Sequence, residues 1–138
     1  MNTNHLSQKI SKQALLSTIW IFVVLNYLYC DVMSLMDANL LGQYLKGSID
    51  GMAITDGFLL GAALLMEISM SMVLLSRILP YKANRIANII AGTITTLVQI
   101  MTLFVGTSTM YYIFCSIFEI GGTAAIVWLA LRWKTENE

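Results

Sequence analysis

The stretch Leu25–Asp37, LNYLYCDVMSLMD, closes the first apolar run of the chain, and its reading decides the fold. If a helix ended at Cys30, the run from Ala14 would hold 17 residues, about 25 Å, short of the roughly 30 Å hydrocarbon core of a bilayer. Continued to Met36, it holds 23 residues and reaches about 34 Å, and Val32, Met33, Leu35 and Met36 are apolar enough to allow this. The sequence therefore predicts a spanning helix over 14–36, with Asp31 as a buried outer-rim carboxylate inside it and Asp37 marking the exit. Asp31 stands about 140° around that helix from Asn26, so the two are expected on different walls.

Outward from this stretch, three further runs are long enough to span: 57–79, 86–106 and 110–131. Residues 80–85, PYKANR, read as a turn opened by Pro80, and TST at 107–109 is a shorter link, so neighbouring helices run antiparallel. The segment 37–56 holds Gly42, Gly47 and Gly51 and reads as an outer surface or reentrant loop. With 57% hydrophobic and 12% charged residues and one proline, the chain suits lipid, and helices suit it better than strands of alternating polarity. The expected fold class is all-α: a single integral membrane domain, an antiparallel four-helix bundle. The net charge of zero gives no basis for nucleic-acid binding.

Seven of the eight basic residues, all but Lys46, fall on one side of these helices. By the positive-inside rule both termini are expected in the cytoplasm, as in a bacterial cytoplasmic membrane. The outer side collects Asp31, Asp37, Asp50 and Asp56, an acidic face that favours an approaching cation. The bulky Tyr27, Leu28 and Tyr29 argue against signal cleavage after the first run. The polar segment from Thr3 to Gln13 suits a helix along the inner surface and a frayed end about equally.

By residue count, Glu67 and Glu119 both lie near the bilayer midplane, with Asn26 level with them. On the fourth run Tyr112, Cys115 and Thr123 share the face of Glu119; on the third, Asn88, Gly92, Thr95 and Gln99 align, with Thr96 and Thr102 at the margins. Asp56 shares a face with Glu67, three turns away. Hydroxyl stripes of this kind more often bond their own backbone, and Gly57 and Gly61, like Gly121 and Gly122, are expected to serve close packing. Central carboxyls are costlier than such packing requires. With no mid-membrane cation beside them, at least one is expected to carry a proton or share one with the other, since two desolvated like charges are too costly.

Two readings follow. In the preferred one, Asn26, Glu67, Gln99 and Glu119 line an outward-leading cavity, joined by Tyr112, Asp56 and Asp31, that binds or transports a small cationic or amphipathic molecule, possible proton coupling included. In the other, the carboxyls are interhelical hydrogen-bond donors in an accessory or structural subunit. A lipid-modifying enzyme is a third reading, and requires a lipid-sized pocket ending at Glu67 and Glu119. Four helices enclose little volume, so a homo-oligomer or a larger membrane complex is expected. Cys30, Met33 and Met36 form C-x-x-M-x-x-M, a spacing that soft Cu(I) accepts, though an adaptable apolar interior explains the methionines better. A Cys30–Cys115 disulfide is conceivable if their depths agree, and no cofactor is expected.

The sequences YLYCD at 27–31 and FEIGGTAAIVWLALRW at 118–133, with the glycine-bearing loop between the first two runs, resemble an uncharacterised family of small bacterial membrane proteins with four predicted transmembrane helices. The resemblance implies a fold and no activity. In size and topology the chain is also similar to small multidrug resistance transporters, but their essential glutamate lies in the first helix, where this chain has Asn26 and Asp31.

Overall fold

The structure is a computed structural model that describes residues 10–105 and 109–134. The first helix, α1 (Lys12–Met36), starts where the Ser11 hydroxyl accepts from the Ala14 amide at 3.2 Å. It runs without a break through Asp31 to Met36, because nothing in LNYLYCDVMSLM breaks a helix. Asp37 ends α1 and caps the next helix, α2 (Ala38–Leu45), its carboxylate accepting from the amides of Asn39 and Leu40 at 2.9 and 3.3 Å. Two short strands follow, β1 (Ser48–Ile49) and β2 (Met52–Ala53), paired antiparallel. Asp50 and Gly51 join them at φ 46° and 83°, the left-handed pair that a tight hairpin requires and that Asp-Gly adopts readily. The long helices α3 (Asp56–Ile78), α4 (Tyr81–Thr102) and α5 (Met110–Leu131) complete the chain.

The described residues thus form an all-helical structure of five helices with one small hairpin. Three helices, α1, α3 and α5, are long and apolar enough to cross a membrane. α4 is not among them, since Lys82 and Arg85 lie in its first turns and Asn84, Asn88, Thr95 and Gln99 are buried along it. It packs against α3 and α5, while α1 packs against α3 and α5 from the other side.

Three sequence expectations need correction. The third helix starts at Tyr81 instead of 86, because Pro80 lacks an N–H that a first turn leaves unpaired anyway, so PYKANR is mostly helix; it also stops at Thr102, short of 106. The segment 37–56 is not an open loop but α2 and the hairpin. Gly57 and Gly61 face open space, with no close neighbour for an added Cβ beyond the Thr55 hydroxyl at 3.8 Å from Gly57; the tight contacts are at Gly122, where a Cβ would meet Val23 at 2.6 Å, and at Gly92, where it would meet Val127 at 2.8 Å. The surface segment expected at 3–13 falls largely outside the described residues.

Gln13 donates to the Leu79 carbonyl at 3.2 Å, Arg85 Nε to the Ala130 carbonyl at 3.1 Å, and the Tyr81 hydroxyl to the Trp133 carbonyl. These contacts bring together the start of α1, the end of α3, the start of α4 and the end of α5. Lys12, Arg77, Lys82, Arg85, Arg132 and Lys134 are therefore gathered at one end, and α2, the hairpin, Asp37, Asp50 and Asp56 at the other.

The interior is unusually polar. Beside Leu16, Trp20, Val23 and Ile126 it buries Ser17, Ser76, Asn84, Asn88, Ser116, Glu119 and Thr123, while large apolar side chains such as Leu25, Leu60, Leu74, Ile90 and Phe114 stand outward. This inverts the soluble pattern, where an extended apolar surface is the informative feature. Near the basic end the polar groups satisfy one another: Asn88 Oδ1 accepts from Trp20 Nε1 at 2.8 Å and Ser76 Oγ at 3.2 Å, and Asn88 Nδ2 donates to Asn84 Oδ1 at 2.7 Å.

Candidate functional site

Glu119 lies midway along α5 and is 1% exposed. The face predicted for it is inward, with Cys115 and Thr123 also buried and Tyr112 half-buried. Thr123 donates to the Glu119 backbone carbonyl at 3.0 Å. The carboxyl itself is less well served: its Oε1 is buried and has no hydrogen-bond partner among the described residues. An unpartnered buried polar atom typically costs ~1–3 kcal/mol, so a folded chain retains one where something else uses it.

A cleft of about 190 Å³ opens between α3 and α4 with α1 as its floor, lined by Tyr27, Asp31, Ser69, Thr95 and Gln99 among apolar side chains of α3. Glu119 is not itself a lining residue of this cleft, but it is within electrostatic reach of two that are, Asp31 and Tyr27. Gln99 is held by its Nε2 donating to Ser116 Oγ at 3.0 Å, one turn before Glu119. Among the described residues, no Lys or Arg lines the cleft.

A second pocket, of about 150 Å³, lies toward the acidic end beneath α2 and the hairpin, with Tyr44, Tyr111, Tyr112 and Asp50 in its wall. Tyr112 donates to Thr102 Oγ1 at 2.8 Å and Tyr111 to Ser34 Oγ at 3.4 Å. Burial pushes the Tyr44 phenol above its ordinary range, and the negative charges of Asp31 and Asp50 act the same way. Tyr112 is also within electrostatic reach of Glu119. The Glu119 carboxyl lines neither space but is within electrostatic reach of both walls, through Tyr112 for one and through Tyr27 and Asp31 for the other.

Of the residues singled out from sequence, Glu119, Gln99, Asp31 and Tyr112 come together here. Glu67 does not: it is exposed on α3, because counting residues fixes depth along a helix but not which face turns inward. Asp56 is exposed in the first turn of α3 and stands apart for the same reason. Asn26 is half-buried and bonds the Phe22 carbonyl of its own helix at 2.8 Å, in an apolar groove away from the cleft. The separation of Asn26 from Asp31 is as expected, but Asp31 is on the inward wall, and it opens on the cleft rather than being buried. Cys30 and Cys115 are buried and free, and close enough for each thiol to act on the other. Met36 is 74% exposed, so it does not join them.

Sequence reasoning missed Tyr27, Ser116, Tyr44 and Tyr111. Ser116 was within reach, lying three residues before Glu119 and so on a neighbouring helix position. No curated protein and no solved structure matches the chain. A family model does, over residues 5–138, and its description is a family of unknown function, DUF6326; the chain belongs to that family.

Proposed function

We propose that this is an integral protein of a bacterial cytoplasmic membrane, a four-helix bundle of α1, α3, α4 and α5 with both termini inside, which binds and transports a small cation in exchange for a proton at Glu119. The observation that carries this reading is the buried Oε1 of Glu119, which has no hydrogen-bond partner among the described residues, within electrostatic reach of Asp31 in a cleft that no described basic side chain lines. Interhelical glue acts through hydrogen bonds, and this oxygen makes none among the described residues. A carboxyl that keeps an oxygen free next to a second carboxylate has a place for an arriving proton or cation, and an ionisable group at mid-helix in a membrane most often marks such a path.

In the exchange, Glu119 gives up its proton when the cation enters and takes one back when the cation leaves, so that one positive charge replaces another and the buried site stays neutral. Asp31 supplies further negative potential along the cleft, and Tyr27, Gln99 and Thr95 supply hydroxyl and amide oxygens to replace lost water. The size of the cleft supports a small ion over a lipid, and disfavours the lipid-modifying reading. The basic residues at one end support the orientation. Exposure of Glu67 on α3 supports a homo-oligomer, since a lone chain would set that carboxyl against lipid.

The test is uptake in proteoliposomes under an imposed pH gradient, offering sodium, potassium, ammonium and tetramethylammonium in turn and following lumenal pH. The proposal expects one of these cations to discharge the gradient with wild-type protein and not with folded Glu119→Gln. Identical traces for the two proteins would instead favour an accessory subunit in which Glu119 is structural.

A further inference from the structure

The pocket beneath the hairpin is built differently from the cleft. Three of its wall residues are tyrosines, from two separate elements: Tyr44 on α2, and Tyr111 and Tyr112 on α5. The hydroxyls of Tyr111 and Tyr112 are already engaged by Ser34 and Thr102, which anchors the rings and leaves their carbon surface as what they can offer an occupant. Leu40 and Ile49 add apolar wall, and Asp50 is the acidic lining residue. Asp50 is fixed in place by the left-handed turn and by its amide, which donates to Gln43 Oε1 at 2.7 Å. A second carboxylate, Asp31, is within electrostatic reach of Tyr44 from below.

Aromatic rings around a cavity with a carboxylate in its wall, and no basic residue lining it among the described residues, suit a cation that is itself greasy. Quaternary and tertiary ammonium ions are held in such settings by cation–π attraction and methyl contacts. A bare divalent metal is a poor fit, since it asks for about six to eight oxygens, and this wall offers one carboxylate among hydroxyls and hydrocarbon. Volume narrows the class further. About 150 Å³ is close to the size of an engineered cavity known to hold benzene, which sets the occupant at roughly five to seven non-hydrogen atoms.

We propose that this pocket is an outer recognition site for a small organic ammonium ion, with Tyr44, Tyr111 and Tyr112 surrounding the cation and Asp50 fixing its charge. The inference rests on the proposed cation transport and specifies the ligand class. Tyr112 faces this pocket and is within electrostatic reach of Glu119, and Asp31 reaches Tyr44 while lining the cleft, so the site stands at the head of the same path.

Titration calorimetry of the full chain in phosphatidylglycerol nanodiscs tests it with three probes: tetramethylammonium, choline and 3,3-dimethyl-1-butanol, the uncharged isostere of choline. Saturable binding of both cations and none of the alcohol is expected. Tyr44→Leu with Tyr111→Leu should weaken choline by about tenfold or more, while Tyr44→Phe with Tyr111→Phe, which keeps the rings, stays within about threefold. Asp50→Asn should also weaken it. Circular dichroism and gel filtration confirm that each variant is folded.

Repeating the titration in discs half composed of phosphatidylcholine separates a free ion from a lipid headgroup: unchanged affinity assigns the site to a free ion, and competition assigns it to the headgroup of the same chemistry. Absent binding, equal binding of the alcohol, or unchanged affinity in the folded leucine pair overturns the proposal. Binding without any pH-coupled uptake retains the site and removes transport; uptake of an inorganic cation with no ammonium binding does the reverse.

Discussion

The indole Nε1 of Trp20 donates to Oδ1 of Asn88 at 2.8 Å, joining α1 to α4 through the fully buried interior. The same oxygen accepts from Ser76 on α3, and the Asn88 amide nitrogen donates to Asn84. One side chain thus ties three long helices together. Asn88→Ala strands the indole N–H and the Ser76 hydroxyl and is expected to destabilise the fold by roughly 2 kcal/mol. Unfolding in mixed micelles by sodium dodecyl sulfate, followed by circular dichroism, measures it. Thr18→Ala serves as the comparison, because Thr18 is exposed and bonds only the Ala14 carbonyl of its own helix; its effect should stay within about 0.5 kcal/mol.

Two glycines that look alike in sequence should respond oppositely to one methyl group. At Gly122 a Cβ would meet Val23 Cγ2 at 2.6 Å, and Val23 is fully buried with no room to yield. Gly122→Ala should cost about 1–3 kcal/mol by overpacking. At Gly61 the space is open, and within a helix Ala is favoured over Gly, so Gly61→Ala should be neutral or stabilise by up to about 1 kcal/mol. The same detergent titration reads both, and a loss at Gly61 matching that at Gly122 would show that its face is covered by a second copy.

Cation uptake should depend on pH through Glu119 and not through Glu67. Glu119→Gln removes the exchangeable proton and should lower uptake by at least about tenfold and flatten its pH profile. Asp31→Asn, which removes potential along the cleft but not the exchanging group, should raise the half-saturating cation concentration and leave the shape of the profile intact. Glu67→Gln should leave that profile in place, since Glu67 is exposed on α3 whereas Glu119 is buried on α5. Initial rates in proteoliposomes between pH 5.5 and 8.5, in steps of about half a unit, distinguish the three.

Cys30 on α1 and Cys115 on α5 are both buried and free, and close enough for each thiol to act on the other. Treatment with diamide, a membrane-permeant oxidant that takes two electrons and two protons from a thiol pair, should give an intramolecular disulfide. It is seen as a faster-migrating band on a non-reducing gel, abolished in Cys30→Ser and in Cys115→Ser. A band in either single variant would place the crosslink between chains instead.

Much of this architecture is readable from the sequence, for physical reasons that differ by element. Apolar length alone carries α1 past Asp31, since no breaker intervenes before Asp37. The stripe Asn88, Gly92, Thr95 and Gln99 turns inward because a helix must hide its polar face somewhere, and all four are buried. Glu67 escaped the same logic: α3 has apolar residues on every side, so its composition does not say which face meets the other helices. The hairpin was legible in principle from Asp50-Gly51, but its strands are two residues each and show no alternation. The tyrosine pocket was not legible, as it joins Tyr44 to Tyr111 and Tyr112 across 67 positions of chain and no local period records that.

Asp37 does two jobs at once. Its amide closes the last turn of α1 through Ser34, at 3.3 Å, and its carboxylate opens the first turn of α2. Asp37 alone separates the two helices, so Asp31 before this joint and Tyr44 after it belong to directly connected elements. A shift of α1 along its axis, even one residue's rise of about 1.5 Å, would have a single residue of chain in which to be absorbed before it reached the wall of the outer pocket.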